Sequence, residues 1–132
     1  MLVAVNEAEQ IINLLEFSKS DLTELVGQFL RCPACKSQVR LKNGHVKMPH
    51  FAHVNLAACQ YYSENESLQH LTLKKRLYHW FKQTEQIKIE HFLPELQQTP
   101  DLLVNETIEI EIQCSHLSIQ RLRERTETYR AH

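Results

Sequence analysis

Two residue pairs constrain this chain more than anything else in it: Cys32-Pro-Ala-Cys35 and His50-Phe-Ala-His53, set on either side of a hairpin signal. Asn43-Gly44 suits the positive φ angles of a tight turn, with Val39 and Leu41 alternating before it and Val46 and Met48 after. Such a hairpin carries the cysteine pair towards the histidine pair. Cys32-x2-Cys35-x14-His50-x2-His53 then offers four ligands of the kinds zinc takes, and cysteines at x2 spacing wrap a metal in a tight knuckle. The His-x2-His spacing is shorter than in a common DNA-reading finger, and no long helix carries the histidines. The pattern predicts a structural, ribbon-like zinc site held by Cys32, Cys35, His50 and His53, in which Cys59 could replace either histidine. Structural zinc contributes roughly 10–16 kcal/mol in apparent terms to a small module. Two other roles stay open for these residues. Cys-Pro-Ala-Cys could be a redox pair, although that motif should open a helix in a βαβ unit, and here a hairpin follows. Alternatively the cysteines pack in a core and the histidines lie at the surface, with no metal.

At 132 residues the chain is one ordinary domain or two very small ones. It carries 15 basic and 16 acidic residues, a net charge of −1, so any nucleic-acid partner must be held by a local patch or a metal. No apolar run approaches the roughly 20 residues of a membrane span. The opening Met1-Leu-Val-Ala-Val-Asn-Glu7 lacks the basic start of a secretory signal, which places the chain in the cytoplasm. There, clustered cysteines point to metal or redox chemistry and not to disulfides.

Leu2–Val5 and Gln10–Leu15 read as short strands. Asp21 with Glu24 resembles a capping box, opening a helix with Leu22, Leu25, Val26, Phe29 and Leu30 on one face. A polar stretch near Cys59–Asn65 marks a boundary, giving units 1–62 and 63–132. The second unit reads as a helix over Glu64–Phe81, strands over Ile87–Phe92, Asp101–Val104 and Thr107–Cys114, and a helix over Leu117–Arg130 capped by Ser115 or Ser118. The last residues are still polar and helical, as expected of a fragment of a longer protein.

Several polar residues fall on the wrong face. At 100° per residue, Leu71, Leu73, Leu77, Tyr78, Trp80 and Phe81 form one broad apolar face of the first long helix, and Glu66, His70 and Lys74 land in its middle. Ionisable groups are buried at a cost of several kcal/mol unless each finds a partner or a metal. The i, i+4 pairs Glu66–His70 and His70–Lys74 could satisfy themselves; the alternative favoured here is that this face overlooks a polar site. In Thr107–Cys114 the period of two sets Glu109, Glu111 and Gln113 on one side, which by default is a solvent face. Asp101, however, precedes a strand that pairs with this one through Asn105-Glu106. One carboxylate from each of two adjacent strands is a way of holding Mg²⁺ that leaves room for phosphate and water. Arg121, Arg123, Arg125 and Arg130 either touch phosphates or belong to a solvated helix face together with Glu124 and Glu127.

Asp101, with Glu111-Ile-Gln113 ten residues on and a helix on each side, resembles the nuclease core of the PD-(D/E)xK superfamily, with Gln113 in place of the usual lysine. The fuller set is more specific. Cys32-Pro-Ala-Cys35, His50-Phe-Ala-His53, Glu66-Ser-Leu-Gln-His70, Pro100-Asp101, Glu111-Ile-Gln113-Cys-Ser115 and Arg123-Glu-Arg125-Thr-x-x-Tyr129 together look like the competence protein CoiA family, across nearly the whole chain. The resemblance implies an α+β chain: a small zinc-ribbon-like β module, then a restriction-endonuclease-like αβββα core cut short at its C-terminus. It implies a role in bacterial competence, promoting recombination of incoming single-stranded DNA, and a Mg²⁺-dependent DNA nuclease, with DNA and a recombinase as partners. It makes Asp101 and Glu111 the Mg²⁺ ligands, Gln113 the residue that orients water or the scissile phosphate, and Glu66 an accessory acid with His70 beside it. Thr99 stands where related chains often carry a basic residue, and Gln113 brings no positive charge to a transition state. The absent lysine and the near-neutral net charge favour a rival of another class, a non-catalytic DNA-binding or recombinase-adaptor protein on an inactive nuclease fold.

Overall fold

Leu2-Val-Ala-Val5 is an uninterrupted apolar run, and the structure buries all of it. That structure is a computed structural model describing every residue except 45–47, 56–58, 63–65, 115–118 and 132. β1 (Val3–Val5) lies between β2 (Ile11–Asn13) and β3 (Leu30–Arg31). A strand with neighbours on both edges and cover on both faces is expected to read as continuously apolar. β4 (Gln38–Lys42) and β5 (His50–His53) complete an antiparallel sheet of five strands in the order β2-β1-β3-β4-β5. The Phe51 N–H donates to the Met1 carbonyl at 2.7 Å, so β5 also meets the first residue of the chain.

Two expectations for this part are corrected. The second arm of the hairpin is His50–His53: its register sets Lys42 opposite His50 and Val39 opposite His53. Asn43, Gly44, Met48 and Pro49 lie outside the strands, and Val46 of the expected second arm falls outside the described residues. Pro49 has no N–H to give a ladder and stands directly before the strand that does pair. The expected helix from Asp21 is a 3-10 segment, Asp21–Leu25. Leu22 and Leu25 are buried three residues apart, but Gly27 turns left-handed at φ 85°, leaving Val26 and Phe29 exposed and sending Leu30 into β3.

The chain divides into two units, Met1–Leu68 and Gln69–His132. In the second, α1 (Leu68–Lys82) is followed by β6 (Ile87–Ile89), β7 (Leu102–Val104) and β8 (Ile108–Ile110), an antiparallel sheet in the order β6-β7-β8, and then by α2 (Ile119–Arg130). Thus the chain is of mixed α and β structure, two sheets and two α-helices among the described residues. Asn105 and Glu106 both take left-handed φ (51° and 61°), and the Thr107 N–H closes on the Val104 carbonyl at 3.1 Å, a mirror-image turn suited to joining β7 and β8.

Two strand boundaries and one helix-face position differ from the sequence expectation. β6 stops at Ile89 because Glu90 turns left-handed (φ 48°). β8 stops at Ile110: continuing its register would set Ile112 opposite Pro100, which has no N–H, and the Ile112 N–H goes to the Asp101 side chain instead. Trp80 is 64% exposed, so it is not on the apolar face of α1, whereas Leu71 and Tyr78 are buried there. The expected caps Ser115 and Ser118 lie outside the described residues. No helix among the described residues is long and apolar enough to cross a membrane.

Candidate functional site

The first unit gathers Cys32, Cys35, His53 and Cys59, with their ligand atoms all within 4.8 Å of one another. The knuckle is built by the backbone: Cys32 N–H donates to Ser37 O (2.9 Å), Lys36 N–H donates to Cys32 O (3.1 Å), and Lys36 takes a left-handed φ of 64° to close the loop. β5 delivers His53, and the Tyr61 N–H points at the Cys59 sulfur at 3.4 Å. Zn–S bonds of about 2.3 Å and Zn–N bonds of about 2.0–2.1 Å set tetrahedral edges of about 3.7 Å between sulfurs and about 3.5 Å from sulfur to nitrogen. Cys32 Sγ lies 3.9 Å from Cys59 Sγ, and Cys35 Sγ lies 3.5 Å from His53 Nε2. Donor types and spacings therefore fit a metal such as zinc.

His50, expected among the ligands, is outside this group, and Cys59 stands in it. His50 and His53 are three apart on one strand, an odd spacing that points them to opposite faces. The His50 ring lies against the Met48 carbonyl, Nδ1 to O 3.0 Å. Thiol electrostatics fit a site made for a cation. Burial pushes Cys32 up to about 12, aided by the neighbouring Cys59. Burial also pushes Cys35 up, but the Ser37 hydroxyl and N–H, with help from Cys32 and the His53 ring, outweigh it and bring Cys35 to about 7. A bound cation supplies the charge that keeps such clustered thiols deprotonated.

The second unit places its polar residues around Asp101, one residue ahead of β7. Asp101 Oδ2 accepts the Ile112 N–H at 2.7 Å and lies 3.3 Å from His70 Nε2, while Oδ1 is 3.2 Å from Lys74 Nζ. Lys74 is 1% exposed, and its ammonium also pairs with Glu90 Oε2 at 3.1 Å. His70 and Lys74 on α1 therefore find partners on other elements. Burial pushes the Asp101 carboxyl up, yet the His70 ring, the Lys74 charge and the Ile112 N–H together hold it below its ordinary range.

Glu111 follows β8 and shows the opposite balance. Burial and the adjacent Asp101 charge raise it to about 7, against the Tyr129 hydroxyl and the Arg125 guanidinium. Tyr129 on α2 donates to Glu111 Oε1 at 2.8 Å, and Arg125 Nη1 stands 4.0 Å from Oε2. Buried Asp101 and half-buried Glu111 thus repel one another, and the proton that Glu111 keeps to a higher pH relieves that repulsion. Gln113 is exposed and lines a cavity with Glu111. Glu66 belongs to the first unit, where its carboxylate lies 3.3 Å from the Met1 amine.

Two partners were not singled out from sequence. Glu90 alternates with Lys88 and would share its solvent face in a regular strand; the left-handed turn at Glu90 swings it inward to 3% exposure. Nothing in the residue pattern signals that turn. Tyr129 was legible only as part of the Arg125-Thr-x-x-Tyr129 pattern, without a role.

Comparison with known proteins agrees across both units. Residues 66–132 match the family model described as "Competence protein CoiA, nuclease-like domain", and residues 14–62 match "Competence protein CoiA, N-terminal domain". The chain is 32% identical over 103 residues to the competence protein CoiA of Bacillus subtilis (strain 168), a stretch covering 75% of this chain and 28% of that protein. No solved structure matches the chain significantly. With both units matched in order, the chain belongs to the competence protein CoiA family.

Proposed function

We propose that this chain is part of a metal-dependent DNA nuclease that acts in bacterial competence, with a zinc-ribbon-like first unit and a restriction-endonuclease-like second unit. The observation that carries the reading is the pairing of Asp101 and Glu111, an acid held ionised beside one pushed up to about 7, at the ends of neighbouring strands. The order α1-β6-β7-β8-α2 supports it, as does the printed description of the matching nuclease-like family.

Asp101 and Glu111 are the residues to hold Mg²⁺, which when bound supplies a Lewis acid for a phosphoryl oxygen and lowers the pKa of a water. His70 and the Ile112 N–H fix the Asp101 carboxylate, so its orientation is set before any substrate arrives. Buried Lys74 cannot reach a phosphate directly; with Glu90 behind it, it provides fixed positive charge in a low-dielectric setting beside Asp101. Gln113, at the usual lysine position, orients water or the scissile phosphate through its amide. Glu66, two residues ahead of α1, is assigned as an accessory acid, and Zn²⁺ on Cys32, Cys35, His53 and Cys59 as structural. DNA is the substrate and a recombinase a partner of the whole protein, in the cytoplasm.

One observation favours a second reading, a non-catalytic adaptor for DNA or a recombinase: the cation nearest the acids is enclosed in ion pairs and the residue at the lysine position is neutral. A cleavage assay with Mg²⁺ or Mn²⁺ on single-stranded, duplex and branched DNA decides. The nuclease reading expects cleavage that Asp101→Asn and Glu111→Gln each reduce at least about a hundredfold. Binding without cleavage of any form, at wild-type strength in both variants, would establish the adaptor instead.

A further inference from the structure

The face of α2 that carries Leu122, Arg125, Thr126, Tyr129 and Arg130, at i, i+3, i+4, i+7 and i+8, borders a cavity of about 330 Å³ whose far wall is the chain at Glu109, Glu111 and Gln113. That volume is at the small end for ligand sites, which run from roughly 300 to 1,000 Å³. We propose that this cavity is a subsite for one nucleotide flanking the scissile phosphate, with its phosphate held by Arg125 and Arg130 and its base or sugar against Leu122 and Tyr129. It rests on the nuclease reading above and gives that site a substrate-binding wall.

Glu111 is at once a wall of the cavity and the residue assigned to the metal. A phosphodiester engaged at Glu111 therefore has its neighbouring nucleotide next to this space. Charge comes next. Of the four arginines from Arg121 to Arg130, Arg125 and Arg130 line the cavity and Arg121 and Arg123 do not. Arg125 stands 4.0 Å from Glu111 with its side chain 36% exposed, too long for a strong bidentate pair, so the guanidinium can turn its donors to a phosphate. With Glu111 committed to a cation, the remaining fixed charges are two guanidinium groups against Glu109, a net attraction for an anion.

Apolar surface completes the site. Leu122 is 54% exposed, on a helix with no buried residue among those described, and presents aliphatic surface at the cavity. Tyr129 lines the same space, and its hydroxyl donates to Glu111. An occupant resting on Tyr129 also restrains the donor that orients Glu111, so Tyr129 is a positioning residue for the acid.

The test uses the whole protein and a 5′-phosphorylated tetrathymidylate, titrated in Ca²⁺ and again in EDTA, with inorganic phosphate as competitor. Arg125→Ala should weaken oligonucleotide binding about tenfold or more and flatten its dependence on salt by about one unit of slope. Leu122→Trp, which fills the cavity from an exposed position, should also weaken it about tenfold while Ca²⁺ affinity measured without nucleotide stays unchanged. Both variants binding as the wild type does would overturn the subsite, as would inorganic phosphate competing on equal terms with the oligonucleotide. If Ca²⁺ affinity does not depend on Asp101, the nuclease reading fails separately, while the EDTA titrations of Arg125→Ala and Leu122→Trp still report on the cavity.

Discussion

Single side chains carry the sharpest consequences. Glu111 is raised from an ordinary 4.5 to about 7 because it is buried beside an ionised Asp101. The native state thus binds more protons at this site than the unfolded chain between those values, so metal-free stability falls as pH rises through that window. Glu111→Gln should raise the melting temperature of metal-free protein at pH 8 and leave it nearly unchanged at pH 4, read by thermal denaturation in EDTA. For the thiolate group, Cys59→Ser should lose bound zinc and His50→Ala should keep one equivalent, as read by elemental analysis after dialysis. Equal zinc loss in both variants would contradict a ligand set centred on Cys59 and His53.

Elements show what the sequence makes legible and where it stops. The apolar runs at Val3–Val5 and Leu102–Val104 mark two interior strands, because a strand covered on every side leaves no polar position to mislead. Asn105-Glu106 turns as composition suggests. The Cys32–Cys35 knuckle was readable, and so in principle was the separation of His50 from it, since three is an odd spacing on a strand. The 3-10 segment at Asp21–Leu25 was not: its burial of Leu22 and Leu25 also satisfies a helix, and only the backbone at Gly27 decides. Glu90 was hidden for the same reason, a left-handed residue that reverses the alternation of β6. Such positions can be probed. Lys36 holds φ 64° at an exposed point of the knuckle, where a side chain costs about 1 kcal/mol or more relative to glycine. Lys36→Gly should therefore raise the melting temperature of the zinc-loaded protein, and Lys36→Val should lower it.

At the scale of the whole molecule the chain spans 28% of the length of its Bacillus subtilis relative, and it gathers two chemically different side-chain groups, thiols with an imidazole in the first unit and paired carboxylates in the second. Soft thiolates and an imidazole suit Zn²⁺, whereas paired carboxylates suit Mg²⁺ or Mn²⁺. Removing zinc should speed hydrogen exchange at the amides of β3, β4 and β5, and Asp101→Asn should retain one equivalent of zinc. The central claim is that Asp101 and Glu111 share a divalent cation, and a Mn²⁺ titration at pH 8 followed by electron paramagnetic resonance tests it most directly. The account predicts one site whose affinity falls about tenfold or more in both Asp101→Asn and Glu111→Gln, with wild-type affinity declining as pH drops below about 7, where Glu111 takes up its proton. Mn²⁺ binding that is equal in the wild type and both variants would contradict it.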